Sequence, residues 1–240
     1  MSCDSPANRP VSVSVFLPCY NEQANVARTV GRAAEVLESI RADYEIIIVD
    51  DGSTDDTARI AGDLARGNPR IRVVRHPSNR GYGAALISGF RAATRELVFY
   101  TDGDGQFDFA EMPALLPLMQ EYDIVSCYRI DRKDNIIRRI NGWAWTWLVC
   151  RLFGLRIRDI DCAFKLYKRS IFDDMMMASS GALIDTEILA RAVRKGYRIT
   201  QRGVHHYPRT AGASTGASLR VIFRAFRELF QLYGRIRSQN

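Results

Sequence analysis

Four apolar runs, each ending in a polar cluster and each separated from the next by a helix-length amphipathic stretch, confine this chain to an α/β architecture. The runs Val11 to Leu17, Glu45 to Val49, Ile71 to Arg75 and Leu97 to Tyr100 read as strands. They lead into Pro18-Cys19-Tyr20-Asn21-Glu22, Asp50-Asp51-Gly52-Ser53-Thr54-Asp55, His76-Pro77-Ser78-Asn79-Arg80-Gly81-Tyr82-Gly83 and Asp102-Gly103-Asp104-Gly105-Gln106. Helical patterns over Glu22 to Arg41, Asp55 to Arg66 and Tyr82 to Thr94 fill the intervals. Such alternation implies right-handed βαβ units and a parallel sheet, whose ligand crevice lies beyond the carboxyl ends of the strands. All four polar clusters are therefore expected on one edge.

On that edge Asp102 and Asp104 carry the most specific chemistry. Two carboxylates two residues apart, at the end of a strand that breaks at Gly103 and Gly105, can both reach one ligand. Hard oxygen donors suit Mg²⁺ or Mn²⁺, and Mg²⁺ takes one or two protein carboxylates and completes its shell with phosphate oxygens and water. Asp and Gly are also ordinary turn formers, so the same residues read alone are compatible with a solvated loop. Their place after an apolar strand, beside three similar clusters, favours the ligand site.

Further motifs follow in order: Tyr128-Arg129, D-C-A-F-K-L-Y-K-R at Asp161 to Arg169, and H-H-Y-P-R-T-A-G-A-S-T-G at His205 to Gly216. Together with P-C-Y-N-E at Pro18 to Glu22, V-D-D-G-S-T-D at Val49 to Asp55, N-R-G-Y-G-A-A at Asn79 to Ala85 and D-G-D-G-Q at Asp102 to Gln106, they span nearly the whole chain. On these motifs the chain resembles the family-two, GT-A-type inverting glycosyltransferases. Within them it is similar to the dolichyl-phosphate mannose synthase group of polyprenyl-phosphate glycosyltransferases.

The resemblance implies a GT-A nucleotide-diphospho-sugar transferase fold, Rossmann-like, with a mostly parallel sheet flanked by helices and a C-terminal amphipathic helix. A flexible terminus over 1–10, a catalytic domain over 11–210 and an amphipathic helix over 211–240 are the expected divisions. Donor binding falls to Pro18, Tyr20, Glu22, Val49, Asp51, Asp102, Gly103, Asp104 and Arg209. Asp102, Asp104 and Gln106 would hold Mg²⁺ or Mn²⁺, and Arg209 would neutralise the departing diphosphate. Asp104, Arg129 and Arg209 are the expected catalytic residues. An acceptor phosphate would meet Arg129, with Arg138, Arg139 and Asn141 matched more loosely. Ala163 stands where the family commonly has glycine, which bears on the acceptor-side loop.

The implied reaction moves a sugar from GDP-mannose or a UDP-hexose to a polyprenyl or dolichyl phosphate at the cytoplasmic face of a membrane. A phosphate acceptor is already anionic and needs positioning more than deprotonation, whereas a sugar hydroxyl would need a carboxylate base. The hydroxyl acceptor remains the enzymatic alternative, and a non-catalytic nucleotide-sugar or lipid-binding module the alternative of another class.

A length of 240 residues with 47% hydrophobic content suits one domain with a full core. Five cysteines without a C-x-x-C spacing suggest neither a disulfide framework nor a zinc site. Met1 to Pro10 is short and polar, unlike a signal peptide. No apolar run reaches about eighteen residues, so nothing is expected to span a bilayer; many members of the family continue into transmembrane helices, and attachment here would be peripheral or through a partner.

A formal charge of +7 calls for an anionic partner. No nucleic-acid module is visible, so an anionic membrane surface is the expected one, a membrane-protein partner or a homodimer being alternatives. The arginine-rich stretch from Arg129 to Arg158 holds all three tryptophans, Trp143, Trp145 and Trp147, a headgroup-zone composition that a buried helix with water-facing arginines would share. The stripe over Ser218 to Arg237 fits the membrane interface or docking against protein equally. His205 and His206 are strand neighbours on opposite faces, unsuited to one ion. Glu187 reads either as a residue near the acceptor pocket or as an exposed helix-start carboxylate.

Overall fold

Each of the four apolar runs becomes a strand in the computed structural model, which describes residues 9–130, 136–209 and 219–238, the side chains of 136–141 and 219–226 excepted. They form β1 (Ser12–Cys19), β2 (Asp43–Asp50), β3 (Ile71–Arg75) and β4 (Leu97–Thr101), alternating with α1 (Val26–Ser39), α2 (Thr57–Gly67) and α3 (Tyr82–Ala92). β1 runs past the expected Leu17 because Pro18 and Cys19 stay in register with Val49 and Asp50 of β2. α1 starts later than the expected Glu22. The amides of Asn25 and Val26 both donate to the Glu22 carbonyl at 2.9 Å, and Asn21 adopts φ 56°, so 21–25 form a tight turn before the helix.

The second half contributes β5 (Ile124–Ser126), β6 (Tyr128–Ile130), α4 (Ile136–Phe153), β7 (Phe164–Lys168), α5 (Ile184–Arg194), β8 (Ile199–Thr200), β9 (Gly203–His205) and α6 (Leu219–Ser238). The main sheet has the order β3-β2-β1-β4-β7-β5-β8, and β7 alone runs antiparallel to its neighbours β4 and β5. β6 and β9 make a separate parallel pair. The mostly parallel, helix-flanked sheet is the expected one.

Side chains alternate across the sheet, and both faces are buried, as a parallel sheet requires. Phe16, Ile47, Val49, Val98, Tyr100 and Tyr167 face α3 and α5. Val15, Leu17, Ile46, Ile48, Phe99 and Phe164 face α1 and a proline-containing 3-10 segment, Phe109–Gln120. Phe16, Phe90 and Tyr100 pack ring to ring at centroid distances of 4.8 to 5.8 Å.

α4 and α6 each carry both buried and exposed parts of the stripes that the sequence shows. Trp145 and Val149 of α4 pack on the core, while Trp143 and Trp147, one turn apart, are 67% and 58% exposed. In α6, Leu229, Leu232 and Ile236 are buried in the same core, and the Tyr233 ring meets Phe153 at 5.8 Å. Leu229, Leu232, Tyr233 and Ile236 of the α6 stripe are therefore engaged in internal packing. Phe230 remains exposed on its outer side.

One buried charge cluster ties the amino ends of the strands together. Glu45 accepts from Ser14 Oγ at 2.6 Å, from the Thr94 amide and hydroxyl at 2.7 Å each, and from Arg72 Nε at 2.8 Å. Burial raises its carboxyl pKa, but these donors more than offset that and hold it at about 2. A folded pKa below the unfolded one stabilises the native state fully above the ordinary carboxylate range, and that contribution is lost as pH falls toward 2. Glu45→Gln is expected to cost about 2–3 kcal/mol at pH 7 in denaturant unfolding, with the difference from wild type shrinking on acidification. A constant difference between pH 7 and pH 3 would contradict this role.

Candidate functional site

The strand order places a crevice before any side chain is considered. The chain steps outward from β1 to β2 to β3, then returns to set β4 on the other side of β1. Such a reversal parts the loops at the carboxyl ends of the two central strands, and open α/β sheets bind ligands there. A cavity of about 490 Å³ occupies this point, lined by Pro18, Cys19 and Tyr20 at the end of β1, by Gly81 and Tyr82 where α3 begins, and by Asp102 and Asp104 after β4. Glu22, Asp51, Asn79, Ala85, Gly103 and Arg209 complete it.

All the expected donor residues except Val49 thus line one cavity. Val49 is fully buried in β2 and does not reach the cavity. Gly103 lets the β4 loop come close: a Cβ there would lie 2.5 Å from Cys19 Sγ, so a larger residue would push β1 and β4 apart where they flank the cavity.

Four carboxylates line the cavity, and two of them, Glu22 and Asp104, meet the guanidinium of Arg209. Arg209 Nη2 donates to Glu22 Oε1 at 2.5 Å and to Asp104 Oδ2 at 3.3 Å, which draws the segment after β9 over the ends of β1 and β4. Asp104 Oδ1 accepts from the Gln106 amide at 3.0 Å. Asp102 Oδ1 accepts from the Tyr82 hydroxyl at 3.3 Å. Burial first, then the charges of Asp104 and Asp185, push the Asp102 carboxyl up to about 7. Burial likewise raises Glu22, against the Asn25 hydrogen bond and the charge of Arg209.

A divalent cation fits this donor set. The Asp104 charge helps to raise the Asp102 carboxyl, an effect that a cation beside them would offset, and among the described residues no cluster of three or more His, Cys, Asp or Glu side chains forms a closed cage. That composition suits an ion completing its shell with phosphate oxygens and water. The Gln106 carboxamide turns toward the Tyr207 carbonyl, with Nε2 donating at 2.8 Å, and Gln106 does not line the cavity.

Beneath the cavity lies a polar network that joins two of the sequence motifs, Tyr100 to Asp102 and Asp161 to Arg169, through Asp185. Lys165 of β7 is fully buried, its Nζ 2.8 Å from Asp185 Oδ1 and 3.0 Å from the Tyr100 hydroxyl, with the carbonyls of Ile160 and Cys162 as further acceptors. The Tyr100 hydroxyl also donates to Asp185. Its local sequence signal was a lysine in a strand whose neighbours are Phe164 and Leu166, a pattern that demands a buried counter-charge.

On the acceptor side, Arg129 forms a two-pronged pair with Asp159, Nε to Oδ2 at 2.7 Å and Nη2 to Oδ1 at 2.8 Å. Burial works against the guanidinium charge, but Asp159 more than restores it, raising the Arg129 pKa. Arg129 does not line the cavity in this state. The side chains of Arg138, Arg139 and Asn141 lie outside the described residues. Glu187 is not the exposed helix-start carboxylate of one sequence reading. It is fully buried, accepts from the amides of Ala178 and Ser179 at 3.0 and 2.7 Å, and pairs with Arg191. It therefore braces the loop that packs on Gly83, whose amide donates to the Ser180 carbonyl at 2.9 Å. His205 pairs with Glu111, and the His206 ring meets Phe107 at 5.0 Å, so the two histidines have separate surroundings.

Comparison with known proteins agrees with this geometry. The sequence model described as Glycosyl transferase family 2 matches residues 14–176. Among curated proteins, the chain is 30% identical over 219 residues to the undecaprenyl-phosphate 4-deoxy-4-formamido-L-arabinose transferase of Yersinia pestis (strain Pestoides F), covering 90% of this chain and 66% of that protein. It is 32% identical over 213 residues to the protein of the same name from Enterobacter sp. (strain 638), covering 88% and 64%. The chain thus spans just under two thirds of the length of these relatives. Among solved structures, glucosyl-3-phosphoglycerate synthase from Mycobacterium tuberculosis in complex with Mn²⁺, uridine diphosphate and glucosyl-3-phosphoglycerate superposes with a TM-score of 0.70 at 21% identity, over 92% of this chain and 78% of that one. The likeness to that structure is one of fold.

Proposed function

Because the chain belongs to glycosyl transferase family 2, we propose that it transfers one sugar from a nucleotide-diphosphate donor to the phosphate of a polyprenyl lipid, with inversion at the anomeric carbon. The observation that carries the reading is the convergence of Asp102, Asp104 and Arg209 on one cavity at the switch between β1 and β4. The names of the relatives, whose acceptor is undecaprenyl phosphate, support the choice of acceptor.

The donor's nucleoside would lie along Pro18, Tyr20 and Asp51, with its diphosphate toward Asp102, Asp104 and Arg209. A Mg²⁺ or Mn²⁺ ion held by Asp102 and Asp104 would supply Lewis-acid neutralisation of the diphosphate, and Gln106 Oε1 could join them only if its carboxamide left the Tyr207 carbonyl. Arg209 is preorganised by Glu22 and Asp104 to receive the charge that grows on the leaving oxygen. In the single displacement, an oxygen of the acceptor phosphate forms the new bond to the anomeric carbon as the bond to the diphosphate breaks on the opposite face. No proton has to be removed from that nucleophile. Glu187, which a hydroxyl acceptor could have used as a base, is buried and paired with Arg191. Arg129 would take the acceptor phosphate by exchanging it for Asp159, two bidentate partners of matching geometry.

A lipid acceptor requires the cavity to work at a membrane, and among the described residues no helix is long and apolar enough to cross one. Peripheral contact would fall to the exposed Trp143 and Trp147 and to Arg151, one turn further along the same face of α4, since α6 buries much of its described apolar stripe. The double substitution Trp143→Ser/Trp147→Ser is expected to weaken co-sedimentation with anionic vesicles on the order of tenfold while leaving nucleotide binding intact. Wild-type binding should fall with added salt. Equal co-sedimentation of the two proteins would place the membrane contact elsewhere.

A further inference from the structure

Asp51 is held by a side chain that does not itself reach the cavity. His76 follows β3, is 4% exposed, and approaches Asp51 Oδ1 through Nδ1 at 2.6 Å. An ionised carboxylate can only accept, so Nδ1 donates. The opposite ring nitrogen, Nε2, meets Ser88 Oγ of α3 at 2.8 Å, which fixes the ring from both ends. The His76 amide donates to the Asp50 carbonyl at 2.9 Å, so the ends of β2 and β3 are joined by backbone as well as by side chain.

Asp51 in turn organises one wall of the cavity. Its Oδ1 also accepts from the Arg80 amide at 2.9 Å and its Oδ2 from the Gly81 amide at 2.9 Å. Gly81 has φ +94° and starts α3, and the neighbouring Gly52, at φ +71°, leaves no room for a Cβ against Ser78 and Asn79. The two loops are packed backbone to backbone. A carboxylate offers about four acceptor positions. Three are filled, which leaves one on Oδ2 of a residue that lines the cavity.

We propose that His76, steadied by Ser88, is the positioning residue that aims this last acceptor of Asp51 at an N–H or O–H group of the donor's nucleoside. The inference rests on the donor-site reading given above. Asp, His and Ser in hydrogen-bonded series also serve acyl transfer in other proteins, but Ser88 does not line the cavity. Without the imidazole, Oδ1 loses its shortest contact and the carboxylate is free to turn within the loop. The loss falls on nucleoside recognition, since the diphosphate end is held by Asp102, Asp104 and Arg209.

The test is calorimetric titration of UDP and GDP, each with Mn²⁺, into wild type, His76→Leu, His76→Asn and Ser88→Ala, with steady-state donor kinetics alongside. His76→Leu is expected to raise the Kd of whichever nucleotide wild type prefers by about tenfold or more, and donor KM in parallel. Its kcat at saturating donor stays within about twofold. His76→Asn, whose carboxamide can still donate to Asp51, recovers affinity to within about threefold, and Ser88→Ala, a mild change on a helix surface, loses about threefold. Wild-type affinity in His76→Leu would overturn the proposal. So would a joint loss of kcat and KM with a lowered Tm that asparagine does not rescue, since that marks a purely structural role. Failure of wild type to bind either nucleotide would instead remove the donor-site reading itself, and this inference with it.

Discussion

Asp104→Asn is expected to reduce sugar transfer by on the order of a thousandfold while leaving the thermal unfolding transition within a few degrees of wild type. The change is nearly isosteric, so the turn held by the Gln106 amide on Oδ1 can persist. What disappears is a charge that does two things at once. It is one of the two carboxylates proposed to hold the metal–diphosphate, and it also accepts from Arg209. Losing one preorganised electrostatic contact in a transfer site costs roughly a hundredfold to a thousandfold, and both contacts fall together here. Chelation should mimic the substitution in wild type and be reversed by added Mn²⁺ or Mg²⁺. Unchanged turnover in excess chelator would refute the metal assignment.

Arg209→Ala should lower kcat by a few hundredfold, about 3 kcal/mol, with little change in acceptor KM. The guanidinium is held by Glu22 at 2.5 Å and by Asp104, so the unbound site has already met the cost of placing it. Its removal also leaves Glu22 and Asp104 facing each other without a cation. Donor binding should then become more dependent on the metal. A variant that changes only acceptor KM would move Arg209 to the acceptor side of the cavity.

The first half of the chain was legible because its local patterns and its tertiary roles coincide. Val13 to Leu17 and Glu45 to Val49 are strands buried on both faces, and nothing in the fold asks them to be otherwise. Asp102, Asp104 and Arg209 were found through motifs that chemistry places at strand ends or beside them. The second half hid more. Phe164 to Lys168 lay within a motif, yet it is the antiparallel strand β7 between β4 and β5. Its Lys165 is buried because Asp185, twenty residues on, and the Tyr100 hydroxyl meet it there. Arg129 carried an expected role, but its partner Asp159 is thirty residues away and joins it only through the fold. The helical stripe of α6 was visible, whereas its docking surface, formed in part by Phe153, could not be read from periodicity. His76 stood inside a polar cluster at a strand end, and only its 2.6 Å approach to Asp51 distinguishes it from the other residues there.

The central claim is that the acceptor is a lipid phosphate. The direct measurement presents the full chain with radiolabelled UDP- and GDP-sugars, Mn²⁺ and either undecaprenyl phosphate or undecaprenol in anionic vesicles, and follows label into the organic phase. The account predicts lipid-linked label from one donor class, only with the phosphate, and abolished by Asp104→Asn. Equal labelling of undecaprenol, or transfer to soluble saccharides with none to undecaprenyl phosphate, would contradict it.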